Sequence, residues 1–418
     1  MNQSSTNSTR VGITTIGVLF FIFGFITWLN ATLVPYLQIA CELNNFQSYF
    51  VTFSFYISYF VMALPSVHIL QRIGLKNGMM TGLLVMALGA LLFIPAAVFR
   101  TYILFLIGLF VMGTGLVLSQ TAANPYVIVS GPTESAARRM SIMGICNKVA
   151  GIISPLIMGA IVLNNIDALN ESIQLLSGVS RKAELDALAH KAVAPYTTIM
   201  ILLATLSVFV RYSPFPNVET EDNEESVRTS ESILQYPYFW FGVLTLFLYV
   251  GVEVIAIDTI ALYGTKMGFT LEQSKSFATY PLLAMIIGYL VGIACIPKYI
   301  SQERTLTICG ILGLGFTIGA IYTTGLTSVL FISLLGLAHS VMWSAIFPMS
   351  INGLGKFTKL GSAILIMAIA GGAILPLLYG HFADTIGNQQ AYWMMLPCYI
   401  IILIFALVGM GKQAKKAI

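Results

Sequence analysis

Four ionisable side chains fall inside stretches of the sequence that are otherwise almost free of charge: Lys148, Glu253, Asp258 and His339. A charge in such surroundings costs about 2.5–3.5 kcal/mol on insertion scales, so it normally faces a watery cavity or another charge. Glu253 and Asp258 share one apolar stretch, YVGVEVIAIDT over 249–259. Five residues turn an α-helix by about 500°, which leaves the two carboxylates about 140° apart. They cannot both point straight into one cavity. Two negatives and one positive leave one unit of charge over. The expectation is that one carboxylate pairs with Lys148 while the other serves a moving cation, a proton or Na+ held at Glu253 or Asp258. Two other readings stay open: all three form a fixed structural cluster, or Asp258 reaches water outside. His339 reads either as a proton relay, because imidazole titrates near physiological pH, or as a hydrogen-bonded packing residue. No catalytic constellation and no metal-ligand spacing accompanies these groups, so no enzyme chemistry, cofactor or resident metal is expected.

Uncharged polar residues fall in the same kind of stretch. LSQTAANPYVIVSG, 118–131, carries Gln120, Asn124 and Pro125. Gln120 and Asn124 are four apart and share a helix face. Asn30 in TWLNATLVPYL and Asn147 in GICNKVAG also lie in apolar surroundings. An amide donates and accepts at once, which suits the hydroxyls of a sugar. Trp28 and Trp343 could stack on the apolar face of a pyranose. No arginine lies deep in an apolar stretch, which disfavours a phosphate or dicarboxylate and leaves the acids for a coupling ion. Pro125 removes a backbone hydrogen bond and reads as a bend at a gate. The plainer alternatives are that Asn124 caps the carbonyls freed by Pro125, and that Trp28 and Trp343 only pack.

The elements that must hold these groups are membrane helices. The chain has 418 residues, 57% hydrophobic and 9% charged, where a soluble protein carries about a quarter charged residues. About 20 apolar residues cross a bilayer as a helix. Twelve spans are expected, at 11–38, 48–71, 77–98, 102–130, 139–163, 195–213, 237–265, 275–297, 304–324, 328–353, 358–384 and 389–411. The long unbroken runs argue against a barrel. No cleavable signal peptide is expected, because the first run is too long and no small-residue site follows it. Cys41, Cys146, Cys295, Cys309 and Cys398 read as small packing residues without pairing or metal spacing. The net charge of +4 sits in short loops and is no nucleic-acid signal. With the N-terminus inside, fourteen basic residues fall in inside segments and six in outside loops. That bias places both termini in the cytoplasm.

The acidic stretch 214–236, with Glu219, Glu221, Asp222, Glu224, Glu225 and Glu231, reads as a solvated linker. It separates an expected six-helix bundle, 1–213, from a second, 237–418. The halves resemble each other. Asn124-Pro125, Gly131, Arg138-Arg139 and Pro155 in one match Phe347-Pro348, Gly353, Lys356, Lys359 and Pro376 in the other. The proline separations are 30 and 28 residues. A parallel repeat of six-helix halves is a transporter architecture, with the site between the halves near mid-membrane.

At LSQTAANPYVIVSGPTESAARR the sequence resembles the fucose–galactose–glucose symporter branch of the major facilitator superfamily. Asn147 in ICNKVAG, NFQSYFVTFSFYISYF (45–60) and GSAILIMAIAGGAILPLLYG (361–380) carry the likeness through most of the chain. YVGVEVIAIDT is similar to the subgroup of bacterial glucose, galactose and N-acetylglucosamine permeases. The resemblance implies an all-α membrane protein of the major facilitator fold, with 12 transmembrane helices in two pseudo-symmetric bundles and alternating access. It implies sugar uptake across a bacterial inner membrane. The family's fucose permease uses two carboxylates for proton and sugar. The matching positions here hold Ala31 and Gln120, so both acids are gone, Glu253 and Asp258 are the natural replacements, and sodium is as plausible as a proton. Asn147 matches an asparagine near the sugar site. Lys148 is no feature of that permease. The reading is a monomeric importer of a neutral hexose, glucose or galactose in type, coupled to Na+ or H+. The alternatives are an uncoupled sugar facilitator of the same fold and an N-acetylglucosamine- or fucose-type permease. A drug exporter, a membrane sensor and a membrane enzyme fit less well.

Overall fold

The computed structural model describes residues 3–129, 136–213, 232–296 and 299–416. Among these residues the chain runs from helix to helix through short turns. A bilayer offers backbone N–H and C=O groups no water, and a helix satisfies them within one segment. Eleven helical runs are long and apolar enough to cross a membrane. One of them, Asn45–Val98, has 54 residues, enough for two crossings. Gly74 divides it at φ 77, ψ 164, a backbone setting that costs glycine nothing because it has no Cβ. Eleven runs with one divided in two make twelve crossings.

The first crossing is α1 (Gln3–Thr27) and α2 (Asn30–Ala40). A short α3 (Asn45–Ser48) leads into α4 (Phe50–Val98), which holds the second and third crossings. The fourth and fifth are α5 (Tyr102–Val129) and α6 (Ala136–Val162). Two helices outside the crossings, α7 (Ile166–Leu175) and α8 (Gly178–His190), precede the sixth, α9 (Val193–Tyr212). The seventh is α10 (Pro237–Asp258) and α11 (Ile260–Lys266). A short α12 (Leu271–Ser274) leads into the eighth, α13 (Thr279–Cys295), as α3 leads into the second. The ninth is α14 (Gln302–Tyr322), and the tenth is α15 (Gly325–His339) and α16 (Met342–Ile351). The eleventh is α17 (Thr358–Met367) and α18 (Gly371–Ile386), and the twelfth is α19 (Met395–Lys416). Residues 214–231 of the acidic stretch, and 130–135 after the fourth crossing, lie outside the described residues; Arg138 and Arg139 fall in the first turn of α6.

Packing repeats between the halves. In the first, α1 lies along α6; in the second, α10 lies along α18. Both contacts are close because each has a glycine where the backbones meet. A Cβ on Gly24 would sit 2.0 Å from the Asn147 carbonyl oxygen, and one on Gly371 would sit 1.7 Å from that of Phe247. Between the halves, α4 packs on α18 and α6 on α13. The crossings that face one another across this interface therefore come in symmetry-related pairs.

The interruptions within crossings fall elsewhere than the prolines suggest. The helix α5 continues through Asn124 and Pro125 to Val129. The first, seventh and tenth crossings are divided after Thr27, at Thr259 and at Ser340–Val341, and the eleventh passes through a 3-10 stretch at Ala368–Ala370. The breaks in the first, seventh and tenth adjoin a buried polar residue: Asn30, Asp258 and His339. At Thr259 the hydroxyl donates to the Ile255 carbonyl at 2.7 Å and shares a second bond with the Tyr392 hydroxyl. Interrupted helices lining a site at mid-membrane are how transporter folds present backbone and polar groups to a substrate.

Candidate functional site

Lys148 on α6 and Glu253 on α10 meet across the two halves, with Nζ 2.9 Å from Oε1 and side chains 10% and 9% exposed. The Lys148 ammonium also lies over the Trp28 ring, 4.4 Å from its centre. Trp28 sits at the interruption of the first crossing, and Gly151 on α6 leaves room for its ring. The ammonium thus has a carboxylate and a π-face as partners in place of water. Cation–π contact of a desolvated ammonium is worth about 2 kcal/mol. Tyr249, Tyr289 and His339 lie within electrostatic reach of Glu253. His339 is fully buried, and its Nε2 shares a 2.7 Å hydrogen bond with the Tyr399 hydroxyl. Its ring also meets Tyr249 edge-on at 6.2 Å.

Asp258, the last residue of α10, is fully buried. Its Oδ2 accepts a hydrogen bond from Thr52 Oγ1 at 2.9 Å, and Oδ1 has no partner among the described residues. The two acids of α10 therefore address different elements of the first half, Glu253 facing α6 and Asp258 facing α4. Their angular separation on one helix brings this about. Tyr49, Thr52, Tyr56 and Tyr59 form one hydroxyl-bearing face along the start of the second crossing. Tyr56 stacks on Tyr59 at 6.1 Å, and the Tyr59 hydroxyl donates to Gln120 Oε1 at 3.0 Å. This face joins the acid to the amide. It was missed in the sequence reading, although its signal is present: positions 49, 52, 56 and 59 recur at the three- and four-residue spacing of one helix face.

Asn30 opens α2 and is fully buried. Both its amide atoms lack a hydrogen-bond partner among the described residues, as do Trp28 Nε1 and Thr32 Oγ1. Asn147 precedes Lys148 on α6, half-buried, and its Nδ2 donates to the Phe20 carbonyl at 3.4 Å. Gln120 and Asn124 are half-buried on α5. Trp343 stacks on Phe347 within α16, rings 5.6 Å apart. No described contact joins it to the ion pair. Trp28, Asn147, Lys148 and Glu253 are thus brought to one place, with Asp258 a turn and a half further along α10. Two cavities lie away from this cluster. One of 380 Å³ is lined by Asn164, Asn165, Glu184 and Lys191, and an apolar one of 540 Å³ lies between α1 and α9.

Twelve crossings in two equivalent sets of six, meeting around a buried polar cluster, define a membrane transporter. Residues 16–359 match the Major Facilitator Superfamily. The chain is 32% identical to the glucose/galactose transporter of Brucella abortus (strain 9-941), over 97% of this chain and 96% of the relative. It is 28% identical to the L-fucose-proton symporter of Escherichia coli (strain K12), over 93% and 90%. The crystal structure of the transporter FucP in the outward conformation superposes with a TM-score of 0.73, at 27% identity, covering 96% of this chain and 99% of that one. The chain belongs to the major facilitator superfamily, and within it to the fucose–galactose–glucose symporter family. It is a transporter and not an enzyme.

Proposed function

We propose that the chain imports a neutral hexose of the glucose or galactose type, together with a cation, by alternating access. The observation that carries the coupling is the state of Asp258. Glu253 already has Lys148 as its counter-charge. Asp258 is the acid left with a single hydroxyl partner and a free, buried oxygen. A carboxylate so placed bears an uncompensated desolvation cost, which a bound proton or Na+ removes. The proton is the ion named for the L-fucose relative, and we take it as the first choice. Sugar binding falls to Gln120, Asn124, Asn147 and Asn30, with Trp28 as the stacking surface; Trp343 has the weakest claim. The glucose/galactose relative supports the substrate class, and a sequence with no arginine deep in an apolar stretch fits a neutral one.

In this reading both termini are cytoplasmic, following the fourteen-to-six bias of basic residues. The division at 214–236 separates the rocking bundles, the membrane is a bacterial inner membrane, and the monomer is the working unit. The test is counterflow in proteoliposomes against a panel of glucose, galactose, fucose and N-acetylglucosamine, followed by net accumulation under an imposed pH or Na+ gradient. Accumulation driven by one gradient in the parent, lost in Asp258→Asn while counterflow persists, supports the reading. Equilibration without accumulation under either gradient makes the chain an uncoupled facilitator and removes the role of Asp258.

A further inference from the structure

On the face opposite the chain termini, each half holds the other through one carboxylate. Asp384, near the end of α18, accepts hydrogen bonds from the backbone N–H groups of Asn45 at 3.2 Å and Phe46 at 2.8 Å, and from Asn45 Nδ2 at 2.7 Å. Asp167, at the start of α7, accepts from the backbone N–H groups of Leu271 at 2.9 Å and Glu272 at 3.1 Å. In each case the donors are the first two N–H groups of a short helix, α3 or α12. Each helix satisfies its third N–H within its own half through a capping box, Asn44 with Gln47 and Thr270 with Gln273. The first two would otherwise be left to water.

The two contacts are related by the repeat. Helix α3 joins the first and second crossings, and α12 joins the seventh and eighth. Asp167 follows the fifth crossing and Asp384 closes the eleventh. The same pair of backbone bonds is therefore made twice, in opposite directions across the interface, with Asn45 Nδ2 adding a third at Asp384. Among the described residues neither carboxylate belongs to an ion pair. The eleventh crossing can come this close because Gly380, one turn before Asp384, has no side chain. A Cβ there would sit 2.5 Å from the Tyr49 ring and 3.0 Å from the Asn45 carbonyl oxygen. Both short helices lead directly into crossings at the interface, so releasing either carboxylate frees a lever on α4 or α13.

We propose that Asp167 and Asp384 are a matched pair of latches that hold the two halves together on this face, and that both must release before the site opens to it. Carboxylate-to-N–H bonds are charge-assisted and roughly twice as strong as neutral ones. Asp384 is exposed and Asp167 half-buried, so water can replace each bond as it parts, which keeps the latch reversible. The inference rests on the alternating-access reading only for the existence of an open state. It requires neither the sugar nor the coupling ion.

The test measures distances by pulsed electron paramagnetic resonance on the full chain with its native cysteines replaced. One spin-label pair spans the halves, at Val179 and Ile386, which are 86% and 54% exposed. A second pair, Val179 and Phe99, lies within the first half and reports its integrity. Asp167→Asn and Asp384→Asn keep size and one acceptor oxygen but lose the charge. Each is expected to add a longer between-half distance, and the double variant to raise the open-to-closed ratio roughly tenfold. The within-half distance should stay as in the parent. An unchanged between-half distribution in the double variant overturns the proposal, and so does equal broadening of the within-half distance. No sugar enters the measurement, so the latch result and the sugar assignment can fail separately.

Discussion

At the scale of residues, the ion pair and the lone acid make different demands. Removing one partner of a buried pair strands the other, at a cost of about 3–5 kcal/mol. Glu253→Gln is expected to lower the melting temperature sharply, and Lys148→Met with Glu253→Leu together to recover much of that loss in the same thermal scan. A double variant no more stable than Glu253→Gln would mean that Lys148 draws its support from Trp28 and not from Glu253. Gln120→Ala leaves the Tyr59 hydroxyl without its acceptor and, in the proposed reading, removes a sugar contact. A rise in KM of roughly tenfold in counterflow is expected, with maximal rate little changed. A residue outside the crossings offers a simpler chemical check. Burial pushes the Cys41 thiol up to about 11. Because the thiolate is the nucleophile, its alkylation should be slow at neutral pH and rise by about a factor of ten per pH unit until near that value.

At the scale of elements, the close backbone contacts decide whether the halves form at all. A methyl group at Gly24 or Gly371 meets a carbonyl oxygen of the neighbouring crossing, 2.0 or 1.7 Å away. Backbone cannot rotate aside as a side chain does, so overpacking of about 1–3 kcal/mol or more is expected from Gly24→Ala and Gly371→Ala. Gly144→Ala is the control, since nothing lies within 4 Å of a Cβ there. Thermal scans of the three variants in detergent should separate the first two from the third. The interrupted crossings belong to this scale as well. They bring Asn30, Asp258 and His339 to helix ends, where a small rotation can expose a polar group without unwinding a whole helix.

At the scale of the whole molecule, the inner cluster and the outer latches lie on one path. Tyr49, about one turn from both Asn45, which bonds Asp384, and Thr52, which bonds Asp258, meets Tyr379 of the other half edge-on at 5.7 Å. Closing this face thus buries a ring about one turn from the hydroxyl that holds the lone acid. Neutralising Asp258 should then favour closure. In the between-half distance measurement, Asp258→Asn is expected to shorten the mean separation or leave it at its closed value. A shift toward the open distance would break the link between ion and gate.

The sequence by itself determined the class of molecule, because a bilayer selects continuous apolar helices and the lengths of the runs state how many there are. It also set the count of charges to be accommodated, two acids against Lys148, and left open how they group. Which acid pairs was decided by tertiary structure: helix rotation separates Glu253 from Asp258, but only the placement of α6 beside α10 turns Glu253 to Lys148. Thr52 and Asp258 are 206 positions apart, and no local spacing announces such a partner. The breaks in the first, seventh and tenth crossings were equally hidden. A proline removes one hydrogen bond and the helix can run on through it, as at Pro125, and no proline marks Thr259, whose hydroxyl bonds Tyr392 from another element. Nothing local to Asp167 or Asp384 announces its role, because the N–H groups each one holds belong to the other half.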